Sequence, residues 1–321
     1  MPRVVLSPRP RVYARTGIVV ALAAMAACHP AIRSTLPDPP NAQQIAELWV
    51  DPGKGRDLFW GVGGRQRAPE ASVPYKVIEI KTTGFSDGYT VVGPGDREWS
   101  VKFRPEAITE VTASRLIWGA GFHQPPIYLV EKWTALDAPR LNPQEPARFR
   151  EKAPDFHGLE DQDDWSLYQN PFVGTRQLNG LLVLHAMLGN SDLKDENNTL
   201  YTLGEPVEGA RRWYVTRDVG HTFGKMGLMG APRGDIEVFE LTPFILGVKD
   251  GRVRLQLGGR HNALFENISP ADVRWICGLL DRFTDDQWSD AFRAGGFDRP
   301  TAERFIRRMK QKIAQGLALK G

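Results

Sequence analysis

A chain of 321 residues, 41% hydrophobic and 25% charged, has an ordinary globular composition and the length for one large or two modest domains around a full core. Its net charge of +3 and isoelectric point near 8.8 point first to an acidic partner. Four arginines, Arg3, Arg9, Arg11 and Arg15, stand in residues 1–27 without an acid; removing that segment takes the net charge to −1, which excludes nucleic acid as the expected partner.

Residues 1–27 have the pattern of an export signal: a basic stretch to Arg15, then an apolar run from Ile18 to Ala27 that is too short to span a bilayer. Met25-Ala26-Ala27-Cys28 resembles a bacterial lipobox, with Met where Leu is usual. The resemblance implies lipidation at Cys28 and a lipid anchor in the membrane. A conventionally cleaved signal and an uncleaved anchor are the alternatives. His29 after the cysteine implies the outer rather than the inner membrane, with the protein in the periplasm or at the cell surface. Residues 28–46 are proline-rich and aperiodic, and are expected to form a flexible tether. Cys277, the one other cysteine, has no partner for a disulfide or a paired-cysteine zinc site, and is expected in the core.

The glycines between Gly53 and Gly64 lack the Gly-Lys-Ser/Thr ending of a phosphate loop and are expected to form a flexible loop. Alternating residues then predict three strands, Tyr75–Thr82, Tyr89–Val92 and Glu98–Phe103, joined as an antiparallel meander. The first turn carries Gly84 and Gly88, where backbone N–H groups can approach phosphate oxygens, and the third strand carries Lys102 as a fixed cation. Pro105 before and Gly119 after an apolar pattern predict a helix from Glu106. Glu106 and Glu110 share one face of it, and either can turn towards Lys102. Ile127–Trp133 has the pattern of a buried strand, whereas residues 134–165, rich in proline and charge, are expected to form a solvated insertion.

An apolar helix is predicted from Thr175 to Leu188, stopped by Gly189, with His185 as a satisfied core residue. It feeds Asn190-Ser191-Asp192-Leu193-Lys194-Asp195-Glu196-Asn197-Asn198. Here Asp192 can accept a proton, Lys194 can neutralise a phosphate, and Asn197 can offer a carbonyl oxygen to Mg²⁺. Thr199–Leu203 and Arg212–Thr216 flank a glycine-bearing turn and predict a hairpin that delivers Asp218-Val219-Gly220. The remainder is predicted as helices at Pro270–Leu280, Asp285–Ala294 and Thr301–Leu319. The last has a basic face (Arg304, Arg307, Arg308, Lys310 and Lys312) expected to be solvated, with contact to anionic lipid as the lesser option.

Glycine turn, strand lysine, helix glutamate, D-L-K-x-E-N and D-x-G occur in the order found in protein kinases, which this chain resembles. The entry Gly189-Asn190-Ser191-Asp192 is similar to that of the HipA-like and phosphatidylinositol-kinase-like branches, and the stretch Thr109 to Pro126 looks like the matching helix of HipA-like kinases. The resemblance implies an α+β, two-lobed protein-kinase-like fold, with a small antiparallel sheet N-lobe over 47–133 and a mainly helical C-lobe over 134–321. It implies a hinge at Ile127–Trp133. It also implies ATP and Mg²⁺ (or Mn²⁺) as cofactors. Gly84, Gly88, Lys102 and its partner Glu110 would bind the nucleotide, Asn197 and Asp218 the metal, while Asp192 and Lys194 would be catalytic. The expected activity is transfer of phosphate to a hydroxyl of an unidentified acceptor protein or small molecule. The alternatives are a lipid-anchored kinase-fold scaffold without turnover and a nucleotidyl transferase.

Overall fold

The computed structural model describes residues 31–81, 86–138, 145–152, 156–224, 233–257 and 261–320. The expectations for residues 1–27, Cys28 and Gly84 fall outside these. Among the described residues no helix is long and apolar enough to cross a membrane.

β1 (Arg33–Ser34) pairs in parallel with Gln169–Asn170. α1 (Ala42–Ala46), started by an Asn41–Gln44 capping box, leads into the fully buried Leu48. The expected tether is therefore held at two places, by the strand pairing of Arg33–Ser34 and by Ile45 and Ala46, which are partly buried against the core.

The predicted meander forms as β2 (Pro74–Lys81), β3 (Gly88–Val92) and β4 (Glu98–Lys102). One face buries Tyr75, Val91, Trp99 and Val101. α2 (Glu106–Gly119) follows, then β5 (Ile127–Val130), β6 (Thr134–Leu136) and β7 (Ala147–Glu151). The six strands lie in the order β5-β7-β4-β3-β2-β6. This corrects one expectation: the stretch 134–165 supplies two strands of this sheet instead of a solvated insertion, and one of them, β7, lies beside the lysine strand. The chain leaves the sheet for the second lobe only after Glu151. β7 escapes detection because Arg148 and Arg150, polar by type, are held on its inner face by a distant carboxylate.

The second lobe contains β8 (Glu160–Asp163), β9 (Gln169–Asn170), α3 (Arg176–Leu188), β10 (Asn198–Val207), β11 (Ala210–Thr216), α4 (Ile236–Leu241), β12 (Ile245–Lys249), β13 (Arg252–Leu255), α5 (Pro270–Leu280), α6 (Asp285–Ala294) and α7 (Arg299–Leu317). α3 is capped by the Thr175 hydroxyl, which accepts from the Leu178 N–H, and ends at Gly189, whose φ of 77° is the left-handed conformation that glycine supplies without strain. β8 joins β10 and β11 in a three-stranded sheet, so the acidic stretch at 160–163 is a strand, with Asp161 paired to Arg217.

α3, α5 and α7 pack around a core that includes Leu181, Leu184, Ile276 and Ile313, beside a cluster of Phe223, Phe239, Phe292 and Phe305. Cys277 is buried there, and burial pushes its thiol up to about 12. The basic face of α7 is solvated only in part, at the exposed Arg307 and Lys310. Arg304 pairs with Glu237 and Glu240, Arg308 donates to the Thr242 carbonyl, and Lys312 is buried. The whole is α+β and two-lobed, as the kinase resemblance implies.

Candidate functional site

Lys102 closes β4 on the face turned away from the aromatic core of the sheet. Its neighbours across the ladder are Gly88 on β3 and Arg148 on β7. Directly opposed residues share a sheet face, so this face carries Arg148, Lys102 and Gly88 in one row, and Arg150, Ser100 and Thr90 in the next. Gly88 is needed at its position, because a Cβ there would lie 2.7 Å from the Val101 carbonyl oxygen.

α2 runs beneath this face and turns its two acids to it. Lys102 Nζ lies 3.2 Å from Glu110 Oε2, 3.3 Å from Glu106 Oε2 and 2.8 Å from Asp218 Oδ1. Glu110, with a fully buried side chain, also meets Arg148 Nε at 3.2 Å and Arg150 at 3.3 Å, while Glu106 meets Arg233 at 2.8 Å. Three carboxylates thus face four cations in largely buried space, each charge with at least one opposite partner, as the loss of hydration requires. Burial alone would lower the Lys102 ammonium, and Glu110 and Asp218 outweigh it and hold the group above the ordinary lysine value. Burial alone would raise the Asp218 carboxyl, but Lys102, with Arg150 and Arg148 beyond it, holds it well below the usual carboxylate range. Arg150 is pulled down to about 10 by burial and by Arg148 and Arg217.

The loop after α3 is fixed by a chain of polar contacts. Nδ1 of His185 lies 3.1 Å from the amide nitrogen of Asn190, whose Oδ1 accepts from the Asp192 N–H at 3.1 Å. With Nδ1 as acceptor, the imidazole Nε2–H is left to donate to Thr216 Oγ1 at 3.1 Å. Burial pulls His185 down to about 4, so the ring is neutral and structural.

Asn197 then ties the loop together. Its Nδ2 donates to the Asp192 carbonyl at 2.8 Å, and its own carbonyl accepts from the N–H groups of Arg217 and Asp218 at 2.9 and 3.1 Å. The long separation of Asn197 from Asp218 is spanned by the β10–β11 hairpin, whose register sets Asn198 opposite Thr216. The turn at Glu208 (φ 50°) and Gly209 (φ 83°) has the twist of a tight hairpin. Past Asp218, Val219 is buried, and the Gly220 carbonyl accepts from Thr109 Oγ1 on α2 at 2.7 Å. The Asp192 and Lys194 side chains are 3.7 Å apart and partly exposed, at 37% and 45%, so both face solvent-accessible space.

Lys102, Glu110, Asp218, Asn197, Asp192 and Lys194 are therefore joined by one unbroken series of contacts, with Gly88 beside Lys102. Asn197 and Asp218 offer an amide oxygen and a carboxylate, donors suited to Mg²⁺ or Mn²⁺. Among the described residues no group of three or more His, Cys, Asp or Glu is placed to hold a metal. A cation at these two residues would complete its shell with phosphate and water.

Among solved structures the chain is similar to the Helicobacter pylori proinflammatory kinase CtkA, at 13% identity and a TM-score of 0.45, over 74% of this chain and 94% of that one. It is also similar to the Golgi casein kinase with Mn/ADP bound, at 10% identity and a TM-score of 0.43, over 77% of this chain and 72% of that one. No family model matches the sequence, and no curated protein does.

Sequence reasoning left Arg148, Arg150 and Arg233 out of the site. The alternation Ala147-Arg148-Phe149-Arg150 was the available signal, since Ala147 and Phe149 are fully buried on the opposite face. Glu106 and Glu110 were alternatives in the sequence, and Lys102 contacts both.

Proposed function

We propose that this chain is an ATP-dependent, kinase-like phosphotransferase exported to the bacterial envelope. One observation carries the reading: a strand lysine, two helix glutamates and Asp218 meet within 3.3 Å, and Asn197 bonds to both Asp218 and the Asp192 backbone. Lys102 holds the nucleotide phosphates, kept in place by Glu110 and Glu106 when Asp218 turns from it. Asn197 and Asp218 hold the divalent cation, which when bound neutralises phosphate charge. Asp192, partly exposed on an anchored loop, orients the acceptor hydroxyl and takes its proton. Lys194 stands beside it to neutralise charge on the transferred group. The rigid α3 end and the His185–Asn190 link supply the positioning that such transfer demands.

The finer assignment follows the sequence. The Gly189-to-Asp192 entry favours the HipA-like and phosphatidylinositol-kinase-like branches. The basic and apolar leader ending at Cys28 favours a lipoprotein anchored in the outer membrane, facing the periplasm or the cell surface. The acceptor is a protein or small-molecule hydroxyl.

The test is incubation of the purified chain, Mg²⁺ or Mn²⁺ and envelope extract with ATP labelled at either the α- or the γ-phosphate. Transfer of the γ-label alone is expected. Transfer of the α-label would establish nucleotidyl transfer instead, and tight binding without any transfer would establish a scaffold. For the anchor, labelled fatty acid should enter the wild-type protein and not Cys28→Ser; equal labelling of both would remove the lipidation assignment.

A further inference from the structure

Lys81, at the end of β2, stands two strands from Lys102. The ladder pairs Lys81 with Gly88 and Gly88 with Lys102, so both lysines share one face of the sheet with a residue between them that has no side chain. Neighbouring strands lie about 4.8 Å apart, which sets the two lysine Cα atoms on the order of 10 Å from each other across a gap that flexible four-carbon stems can close.

Lys81 is weakly committed in the folded chain. Its ion partner is Glu79 at 4.0 Å, and the two side chains are 39% and 55% exposed, a geometry worth little in water. The same Glu79 oxygen is engaged by the Thr90 hydroxyl at 2.7 Å. Burial lowers the Lys81 ammonium, and beyond Glu79 its surroundings are positive: Lys152, Arg150 and Arg148 lower it further. By contrast, the Arg148 guanidinium is consumed by Glu110 and by the Ser100 carbonyl. Among the described residues of this row, Lys81 thus has the weakest ion pair and can turn onto an incoming anion.

We propose that Lys81 is a second phosphate-binding residue, which grips the terminal phosphates of a nucleoside triphosphate from the side opposite Lys102. This rests on the nucleotide reading of the cleft. It predicts discrimination by phosphate number, since a monophosphate held at Lys102 leaves Lys81 without a partner.

The test is calorimetric titration of the full chain with ATP, ADP and AMP in Mg²⁺, comparing wild type, Lys81→Met and Lys81→Arg, with melting curves as a control for folding. Lys81→Met should weaken ATP by roughly tenfold or more, leave AMP unchanged, and be largely rescued by Lys81→Arg. If Lys81→Met binds ATP as wild type does, or loses ATP and AMP equally, the assignment to Lys81 falls while the nucleotide site stands. If the wild type binds none of the three, the functional reading itself falls, and this inference with it.

Discussion

Glu110→Gln tests the charged cluster with almost no change in side-chain shape. Glu110 faces Lys102 at 3.2 Å, Arg148 at 3.2 Å and Arg150 at 3.3 Å, with none of its side chain exposed. At an effective dielectric of about 20, each such pair contributes about 5 kcal/mol before hydration is subtracted. Most of that gross attraction offsets the desolvation of four charged groups, but the substitution withdraws it from three cations that stay buried. Breaking a buried pair in this way costs about 3–5 kcal/mol. For a domain of this size that lowers the melting temperature on the order of 10 °C. The assay is urea unfolding of wild type and variant, with an unchanged m-value to show that the same surface is exposed. A double-mutant cycle with Arg150→Met should return a coupling of about 1 kcal/mol or more. A loss below about 1 kcal/mol for Glu110→Gln would mean that the three contacts are not made together, and the account of the cluster would be wrong.

Three further outcomes are expected. Asp218→Asn should reduce phosphate transfer by on the order of a hundredfold or more and also lower the melting temperature, because the carboxylate that Lys102 meets at 2.8 Å is lost; undiminished transfer would remove it from the metal site. Buried, neutral His185 makes stability depend on pH. Between its ordinary value and about 4 the unfolded chain binds a proton that the folded one refuses, so stability falls as pH falls through that window. His185→Gln should flatten that slope in acid titrations of unfolding, and an unchanged slope would refute the neutral assignment. Lys312 is buried, donates to the Met187 carbonyl at 2.8 Å at the end of α3, and lies 3.6 Å from the Phe239 ring centroid. Burial, with Arg308, lowers its ammonium well below the ordinary value. Stability should therefore rise with pH between the lowered value and the unfolded one, and Lys312→Met should abolish that rise in unfolding measured from neutral to alkaline pH; a persisting rise would exclude Lys312 as its source.

The elements legible in the sequence are those whose signals are local. Pro105 and Gly119 bracket α2, Thr175 and Gly189 bracket α3, and the turn before Ala210 announces the β10–β11 hairpin. The order of Lys102, Glu110, Asp192, Asn197 and Asp218 was legible for the same reason, since each stands at the end or on the face of such an element. What escaped was set by distant partners. Arg148 and Arg150 look solvated until Glu110, on another element, is found against them. The basic face of α7 looks like a surface until Glu237, Glu240 and the Thr242 carbonyl are placed along it. The pairing of Arg33–Ser34 with Gln169–Asn170 joins segments more than a hundred residues apart, with no pattern in either. A buried charge carries no period, so it is read only once its counter-charge is in place.

Transfer of the terminal phosphate of ATP at Lys102, Asp218 and Asp192 can be read by intact-mass spectrometry of the full chain and of envelope-extract components after incubation with Mg²⁺ and ATP, run beside Asp192→Asn. The account predicts a gain of one phosphoryl mass on an acceptor with the wild type and none with Asp192→Asn. The same gain from both proteins would contradict the role given to Asp192, and no gain from wild-type protein that binds ATP would contradict phosphate transfer itself.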